Sequence, residues 1–422
     1  MVADIDVLSP RPPSPFPDGP LADSPYTISW FLKILSESSP EFCELLRKYE
    51  LKSVSALNIS GGKGFISKVY KCDIEFEGLE HPHEVVLKVP GVDAIKDVDK
   101  AIISEGDTSK INDQKIQHFI RFHNQECLFY NKYADKIAGF PMVQMYDTGN
   151  WVVDKTRGYL LMESMVGAAE TYSIFQGFSK KQMLKIAEHL AHFHKHFLCM
   201  PDQSWTEELP LHLFQSPGAL DFVEALLKKL SAMKPAIFED RIKHVLGFSN
   251  SLKFHKYTTY DVYKDFGLPT VLTHGDMWTN NILWRKDSDE VAAFIDFQIC
   301  HAGSPALDIA RVLVLCSDGD VRREHEVDIL KQYYRTLKRL LEIDGKSIEF
   351  TFQQLEGAYR VHLINQTIHL LFMVPFFCCG DHDENMKPIW EARTEKLMMR
   401  ALFALDDALT VLETVPEEKY KE

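Results

Sequence analysis

The chain has 422 residues, of which 45% are hydrophobic and 26% charged, a composition typical of a globular protein rather than an intrinsically disordered one. Lys and Arg total 47 against 61 Asp and Glu, which gives a net charge of −14 at pH 7. This acidity argues against a general nucleic-acid-binding protein and against attachment to anionic membranes by charge. At about 150 residues per domain, the length allows two or three domains or one large two-lobed fold.

The N-terminal ten residues contain Asp4 and Asp6 and lack the basic and apolar regions of a secretory signal. The longest apolar stretch, Leu370 to Cys379, is about half of a membrane span and contains Pro375. The eight cysteines are scattered along the chain without a CxxC pair. We therefore expect a reduced, soluble, cytoplasmic protein with no membrane span.

Seven of the twenty prolines lie within residues 9–25. This density predicts a disordered, solvated leader over residues 1–25. A weak contact with an SH3-type domain is the alternative, because PxxP patterns are common. Ser24-Pro25 and Ser39-Pro40 each have the pattern of an N-cap followed by a first-turn proline, and they predict the starts of two helices.

Hydrophobic periodicity divides the remaining chain into a β-rich part and a helical part. Period-two alternation predicts strands that pair over 65–70 and 72–76, with further strands over 85–89 and 159–163, and helical spacing follows over 115–138. Later helices are predicted over 179–197, 219–232, 304–316, 323–342, 352–373 and 390–413. The fold class is therefore α+β, with a small N-terminal lobe over 26–163, a larger helical lobe over 164–415 and a tail over 416–422.

The most informative segment is the polar loop HGDMWTNN, which two apolar strands flank and a third strand ending in aspartate follows. Asp276 and Asn281 are five residues apart in this segment, and Asp296 lies twenty residues beyond Asp276. Phosphoryl transfer from Mg-ATP needs a carboxylate that faces the acceptor hydroxyl, together with an amide oxygen and a second carboxylate for the metal. The alternative is a turn in which Asp276 and Asn281 only cap backbone groups.

The sequence HGDxxxxN followed by IDF resembles the catalytic loop and metal-binding aspartate of the aminoglycoside phosphotransferase and choline kinase group, which shares the protein-kinase-like bilobal fold. HGDMWTNNILW with IDFQ most resembles the ecdysteroid-kinase-like, or CHK-kinase-like, branch, over roughly residues 55–330. The resemblance implies that Asp276 is the catalytic base and that Asn281 and Asp296 hold Mg²⁺ across the ATP phosphates. It also implies that His274 braces the loop and that Asp308 supports it.

An ATP-binding half is expected upstream of the loop. By position, Lys88 in EVVLKVP matches the strand lysine that contacts the phosphates, and Glu126 resembles the acid that pairs with it. Taken alone, either would be an ordinary solvated side chain. The family's phosphate-covering turn and adenine hinge would fall on Gly61, Gly62, Gly64 and Ser67, and on Met162 and Ser164. Because the turn is not GxGxxG, an ordinary hairpin turn is an equal alternative.

Asp308 follows Asp296 by only twelve positions, which leaves no room for the activation segment of a protein kinase. A small-molecule acceptor is therefore expected: a steroid-, lipid- or glycoside-like alcohol, or a choline-like compound. A non-catalytic ATP-binding scaffold is the alternative. The resemblance implies that the acceptor binds between the catalytic loop and the C-terminal helices. Most aromatic and histidine side chains of this region are expected to be core, and a minority would line an apolar cleft; the set is Trp278, Tyr359, His362, His369, Phe372, Phe376, Phe377 and Trp390.

Overall fold

The structure is a computed structural model, which describes residues 16–60, 67–91, 113–210, 219–379 and 383–421. The chain forms two compact units. The first comprises residues 1–94 and 144–164, and the second comprises residues 95–143 and 165–422. The lobe boundaries suggested by the sequence stay predictions.

The first unit is built on one antiparallel sheet. Two helices, α1 (Ile28–Ser38) and α2 (Pro40–Lys48), precede its strands. The sheet has the order β1-β2-β3-β5-β4, and its strands are β1 (Leu51–Asn58), β2 (Ser67–Phe76), β3 (His83–Pro90), β4 (Met145–Gly149) and β5 (Tyr159–Glu163).

The start of α2 agrees with the sequence prediction, whereas the start of α1 does not. Ser39 caps α2 by accepting a hydrogen bond from the backbone N–H of Phe42 at 3.2 Å, with Pro40 in the first turn. The cap of α1 is Thr27, whose hydroxyl accepts from the N–H of Trp30 at 3.2 Å. The prediction that Ser24-Pro25 begins this helix was wrong, because the backbone of residue 24 turns back and donates to Leu21.

The predicted pairing of 65–70 with 72–76 was also wrong, because residues 67–76 form the single strand β2. Its antiparallel partners are β1 on one side and β3 on the other. No turn residue interrupts the strand at Lys71, whose ammonium group contacts Asp73 at 2.7 Å and Glu84 at 2.8 Å. A charge in mid-strand is thus accommodated by ion pairs rather than by a turn.

One face of the sheet carries the hydrophobic core of this unit. Val85, Leu87 and Val89 of β3 are buried there together with Leu161 of β5 and helix side chains such as Phe31. Alternate residues point to opposite faces of a strand. Residues 86, 88 and 90 of β3 therefore lie on the other face.

The second unit is mainly helical. Its long helices are α3 (Asp113–Lys132), α4 (Lys180–Cys199), α6 (Ala219–Met233), α7 (Pro235–Ser249), α10 (Leu307–Cys316), α11 (Gly319–Ile343), α12 (Phe352–Cys378) and α13 (Lys387–Leu412). Three short ones are α5 (Trp205–Glu208), α8 (Leu252–Lys256) and α9 (Val262–Asp265). The later helices predicted from the sequence are confirmed within a few residues at each end, apart from α12, which continues five residues further.

Two small sheets interrupt these helices and position the polar loop. Strand β7 (Val271–Thr273) pairs antiparallel with β10 (His301–Gly303). A three-stranded sheet contains β6 (Ala169–Glu170), β8 (Ile282–Arg285) and β9 (Val291–Phe294) in the order β6-β8-β9. A five-stranded antiparallel sheet in one unit and a helical second unit with such a loop are the features expected of a protein-kinase-like α+β fold, so the predicted fold class is confirmed.

Helix α12 is the central apolar helix of the second unit. Among the described residues it alone is long and apolar enough, by length and composition, to cross a membrane, and 78% of its most apolar stretch is buried inside the protein. Such burial is typical of a core helix. Pro375 lies within its last turn.

Two buried histidines predict how the stability of this unit depends on pH. His255 lies 2.7 Å from the carbonyl oxygen of Ser249, and His362 lies 2.7 Å from that of Thr258. Burial lowers the pKa of each ring to about 4 from the ordinary value of 6.5. The folded protein therefore keeps both rings neutral at pH values where the unfolded chain protonates them.

The unfolding free energy should consequently be highest above pH 6.5 and fall as the pH is lowered toward 4. Each ring contributes a slope of about 1.4 kcal/mol per pH unit inside this window. Urea unfolding at several pH values measures the slope, and a His362→Gln variant should reduce it. A wild-type slope of zero, or a variant slope equal to that of the wild type, would contradict the assignment.

Candidate active site

The polar loop predicted from the sequence lies between β7 and β8. Asn281 is buried, and its side-chain Nδ2 donates to the backbone oxygen of Asp276 at 2.9 Å and to its Oδ2 at 3.1 Å. Both N–H groups of the amide are thereby used. The amide oxygen of Asn281 remains the atom suited to an external partner, and the two residues act as one unit.

The backbone of this loop rests on Asp308 at the start of α10. The carboxylate of Asp308 is fully buried and accepts from the N–H of His274 at 2.7 Å and from the N–H of Gly275 at 2.9 Å. Burial raises the pKa of Asp308, but the interactions with His194, His274 and the backbone outweigh it and keep this pKa below its usual range. An ionised Asp308 thus supports the loop, as the resemblance implied.

Glycine is required at position 275. Its backbone has φ of +80°, and a Cβ atom there would lie 2.6 Å from the carbonyl oxygen of Ile299. Only glycine adopts this conformation at low cost and leaves space for the neighbouring backbone. The loop therefore has glycine where protein kinases have the arginine of HRD.

His274 connects the loop to the segment that carries Asp296. Its Nε2 lies 3.0 Å from the carbonyl oxygen of Ile295, and its Nδ1 accepts from the N–H of Asp276 at 3.2 Å. The N–H of Ile295 in turn donates to the carbonyl oxygen of Asn281 at 3.1 Å. Burial lowers the pKa of His274. Both ring nitrogens have partners within the site, so the ring joins the loop to the segment that carries Asp296.

Asp296 has a left-handed backbone with φ of +71°. Non-glycine residues adopt this conformation rarely, and such strain concentrates at functional sites. The ring of the next residue, Phe297, stacks on Phe129 at a centroid distance of 4.0 Å and packs against His274 at 4.5 Å. The structure thus brings the segments of all three predicted catalytic residues together.

Glu126 lies on α3 and is 2% exposed. The adjacent Gln125 donates to the carbonyl oxygen of Cys300, four residues beyond Asp296. Burial, with a further contribution from the nearby charges of Glu126 and Asp296, raises the pKa of Tyr130 well above its usual range. Glu126 therefore belongs to the surroundings of Asp296. Its predicted pairing with Lys88 stays a prediction.

The predicted ATP-binding residues of the first unit share one face of its sheet. Lys88 lies directly opposite Val69 of β2 and Leu160 of β5, whereas Ser67 faces Pro90 and Met162 faces Val86. Cross-strand partners point to the same side, which is here the side opposite the hydrophobic core. Ser164 follows β5, and its hydroxyl donates to Glu84 at 3.4 Å.

The predicted phosphate-covering glycines, Gly61, Gly62 and Gly64, lie outside the described residues. The segments on either side are fixed: the N–H of Ile59 donates to Val69 at 2.8 Å, and the hydroxyl of Ser60 accepts from the N–H of the same Val69 at 2.8 Å. The strands β1 and β2, which precede and follow this segment in the chain, are antiparallel neighbours.

The sequence interpretation missed Arg311. This residue lies on α10, three positions after Asp308, and its Nη2 is 2.5 Å from Oδ1 of Asp276. The helical spacing of Asp308 and Arg311 in ALDIAR places them on one face and was the available signal. A long-range partner of arginine cannot be read from that spacing.

The aromatic residues predicted to line an acceptor site fall into separate groups. Trp278, Phe376 and Phe377 form one cluster. The ring centroids of Trp278 and Phe377 are 5.9 Å apart, and those of Phe376 and Phe377 are 5.0 Å apart. The ring centroids of Phe372 and His369 are 5.5 Å apart. The other three have partners elsewhere in the second unit: Tyr359 with Glu326, His362 with Thr258 and Trp390 with Phe175.

Residues 51–414 match the model of the DUF1679 family, described as "Uncharacterized oxidoreductase dhs-27", and the chain belongs to this family. A relative from Caenorhabditis elegans with that name is 25% identical over 401 residues, which are 93% of this chain and 47% of the relative. The chain therefore spans about half the length of that relative. A second C. elegans relative, "Uncharacterized kinase-like protein D1044.1", is 25% identical over 390 residues, covering 87% of this chain and 96% of the relative.

Solved structures with a similar fold include the GDP complex of wild-type aminoglycoside 2'-phosphotransferase-IIIa. It has a TM-score of 0.42 and 13% identity, covering 90% of this chain and 98% of that chain. An ethanolamine kinase from Plasmodium vivax has a TM-score of 0.41 and 15% identity, and the match covers 89% of this chain and 90% of the kinase chain.

Proposed function

We propose that this chain is a Mg-ATP-dependent phosphotransferase that phosphorylates a hydroxyl group of a small molecule. The observation that carries the proposal is the single hydrogen-bonded assembly of Asp276, Asn281 and the Asp296 segment, held by His274 and by the buried Asp308. A simple capping turn would need none of the long-range contacts to residues 295 and 308. A relative matched over 96% of its length is also named kinase-like.

The donor groups fit a magnesium ion. Mg²⁺ prefers hard oxygen ligands, and one or two carboxylates besides phosphate oxygens usually suffice. Asn281 offers its amide oxygen because both of its N–H groups are bonded to Asp276, and Asp296 offers a carboxylate. We propose these two residues as the metal ligands. The ion would neutralise charge on the nucleotide phosphates.

Asp276 is the residue that we propose to orient the acceptor. Its side chain is 18% exposed. Asn281 donates a hydrogen bond to Oδ2 of the carboxylate, and Arg311 donates one to Oδ1. Each oxygen retains a further lone pair that accepts the proton of an alcohol. Positioned in this way, Asp276 would align the hydroxyl oxygen for attack on the γ-phosphorus and take its proton as the bond forms.

The proposed nucleotide contacts come from the other face of the first unit's sheet. Lys88 would contact the phosphates with Glu126 as its partner, and the backbone at Met162 and Ser164 would bind adenine. Ser67 and the glycines at 61, 62 and 64 would cover the phosphates. The shared strand face of Lys88, Ser67 and Met162 supports this assignment.

For the acceptor we propose an alcohol with an apolar body, such as a steroid-, lipid- or glycoside-like compound, or a choline-like one. The cluster of Trp278, Phe376 and Phe377 begins two residues after Asp276 and supplies apolar and aromatic surface. We further propose a cytoplasmic location. The SH3-type contact of the leader has no support among the described residues.

The alternative is a non-catalytic ATP-binding scaffold. A scaffold does not require a carboxylate oriented for an acceptor, so the two-sided fixing of Asp276 favours the enzyme. The oxidoreductase name stands in the family description and belongs to a relative of which this chain matches 47%; oxidoreductase activity is not part of the proposal.

The experiment is transfer of label from γ-labelled ATP into a fractionated metabolite extract, with the intact protein and Mg²⁺. We expect label in low-molecular-mass products that an Asp276→Asn variant does not form. Label found in polypeptides alone would contradict the small-molecule acceptor. Equal transfer by the variant would contradict the assignment of Asp276.

A further inference from the structure

Arg311 is a buried cation that has three partners among the described residues, and one of these three lies in the polar loop. Its Nη1 donates to Oε1 of Gln366 at 2.9 Å and to Nδ1 of His369 at 2.7 Å, both on α12. Its Nη2 contacts Oδ1 of Asp276 at 2.5 Å. The residue is 7% exposed. The guanidinium therefore joins helices α10 and α12 to the loop between β7 and β8.

Burying a guanidinium group is costly unless it is paired. Contact between two helices alone does not require a charge, and neutral side chains would serve as well. The charge of Arg311 is balanced by Asp276, its one ion-pair partner among the described residues. The buried charge of Arg311 is therefore stabilised by the proposed catalytic carboxylate and not by the contacts between the helices.

The two partners on α12 fix the direction of the guanidinium. His369 accepts through Nδ1, which requires a neutral ring, and burial together with the charge of Arg311 holds the pKa of His369 well below its usual range. Gln366 accepts through its amide oxygen and donates from Nε2 to Asn365 at 3.2 Å. These bonds leave Nη2 directed at Asp276.

The carboxylate of Asp276 is consequently held from both sides. Arg311 bonds Oδ1, and Asn281 bonds Oδ2 at 3.1 Å. Rotation of the carboxylate would break one of these bonds. On α10, Asp308 fixes the backbone of the loop and Arg311, one turn later, fixes its reactive side chain.

We propose that Arg311, directed by Gln366 and His369, is a positioning residue for phosphoryl transfer that sets the orientation of the Asp276 carboxylate. This inference rests on the proposed function. Arg311 contributes to the rate through Asp276 and does not contact the nucleotide. Its loss should therefore lower kcat and leave nucleotide binding in place.

The test measures Mg-ATP hydrolysis, with water as the acceptor, for wild-type protein, Arg311→Ala, Arg311→Lys and the control Arg360→Ala. Arg360 lies on α12, is exposed and pairs with Glu356 at 3.1 Å. For Arg311→Ala we expect kcat to fall about 10- to 100-fold, with KM for Mg-ATP changed less than about threefold. Lysine restores the charge but not the planar fork, so Arg311→Lys should recover only part of kcat.

Millimolar guanidinium chloride should raise the kcat of Arg311→Ala and leave that of wild-type protein unchanged. A purely structural role would not give this rescue, and thermal unfolding of each variant shows that it is folded. The inference would be overturned if Arg311→Ala had a kcat equal to or higher than that of the wild type. It would also be overturned if both Arg311 variants lost activity and guanidinium rescued neither. Wild-type protein that neither binds nor hydrolyses Mg-ATP would overturn the proposed function instead.

Discussion

Replacing Asp276 by asparagine should lower Mg-ATP hydrolysis by about 10²- to 10⁴-fold, the usual contribution of a positioned general base. Asparagine has nearly the same shape, and its amide oxygen still accepts one of the two hydrogen bonds that Asp276 receives from Arg311 and Asn281. It has no negative charge and cannot take the proton of the attacking oxygen. The affinity for Mg-ATP should therefore change little, because Asp276 is not a proposed metal ligand.

Steady-state kinetics and nucleotide titration on the same preparation measure both quantities. Asp287→Asn is the matched control, because Asp287 is an exposed turn residue with φ of +55°, a conformation that asparagine tolerates. The control should hydrolyse ATP like the wild type. Equal hydrolysis rates for Asp276→Asn and the control would contradict a catalytic role of Asp276.

Replacing Asp308 by alanine should have the largest effect on stability. The change leaves the backbone N–H groups of His274 and Gly275 without their buried acceptor, and these bonds are 2.7 Å and 2.9 Å long. A buried unsatisfied donor costs about 1–3 kcal/mol, so the two donors together should cost about 2–6 kcal/mol. We expect a loss of this total size, accompanied by loss of hydrolysis.

Urea unfolding at pH 7.5 gives the change in the free energy of unfolding. Asp328→Ala removes an exposed carboxylate that contacts Lys180 at 2.7 Å, and we expect it to have no measurable effect on stability. If Asp308→Ala were as stable as Asp328→Ala, the buried carboxylate would not be what holds the loop. An Asp308→Asn variant should fall between the two, since its amide oxygen satisfies one donor.

Local signals predicted much of the fold. Ser39-Pro40 and the Ser179–Gln182 capping box identify helix starts because their side chains bond to backbone groups three residues away. The start of α1 was misplaced because the segment at Ser24 forms a turn in which the carbonyl oxygen of Tyr26 accepts from the N–H of Leu21, and the Tyr26 hydroxyl donates to the distant carbonyl oxygen of Arg157. The sequence prediction divided strand β2 at Lys71. The ion pair that accommodates this charge connects Lys71 to Glu84 on β3, and such a contact between two strands cannot be predicted from local sequence.

The site shows the same division between local and long-range information. The spacing of Asp276, Asn281 and Asp296 is local, and the segments do meet in the fold. The left-handed backbone of Asp296 and the pairing of Arg311 with Asp276 depend on packing between distant segments. The contact of Arg311 with His369 spans 58 residues, and no periodicity in the sequence indicates it.

Calorimetric titration of ATP into the protein, with and without Mg²⁺, tests the central claim most directly, with Asp296→Asn beside the wild type. Asparagine tolerates the left-handed backbone at this position while removing the charge proposed to bind the metal. We predict saturable, Mg²⁺-dependent binding to the wild type and binding at least about tenfold weaker to the variant. No binding to the wild type, or equal Mg²⁺-dependent affinity in both proteins, would contradict the proposed phosphotransferase site.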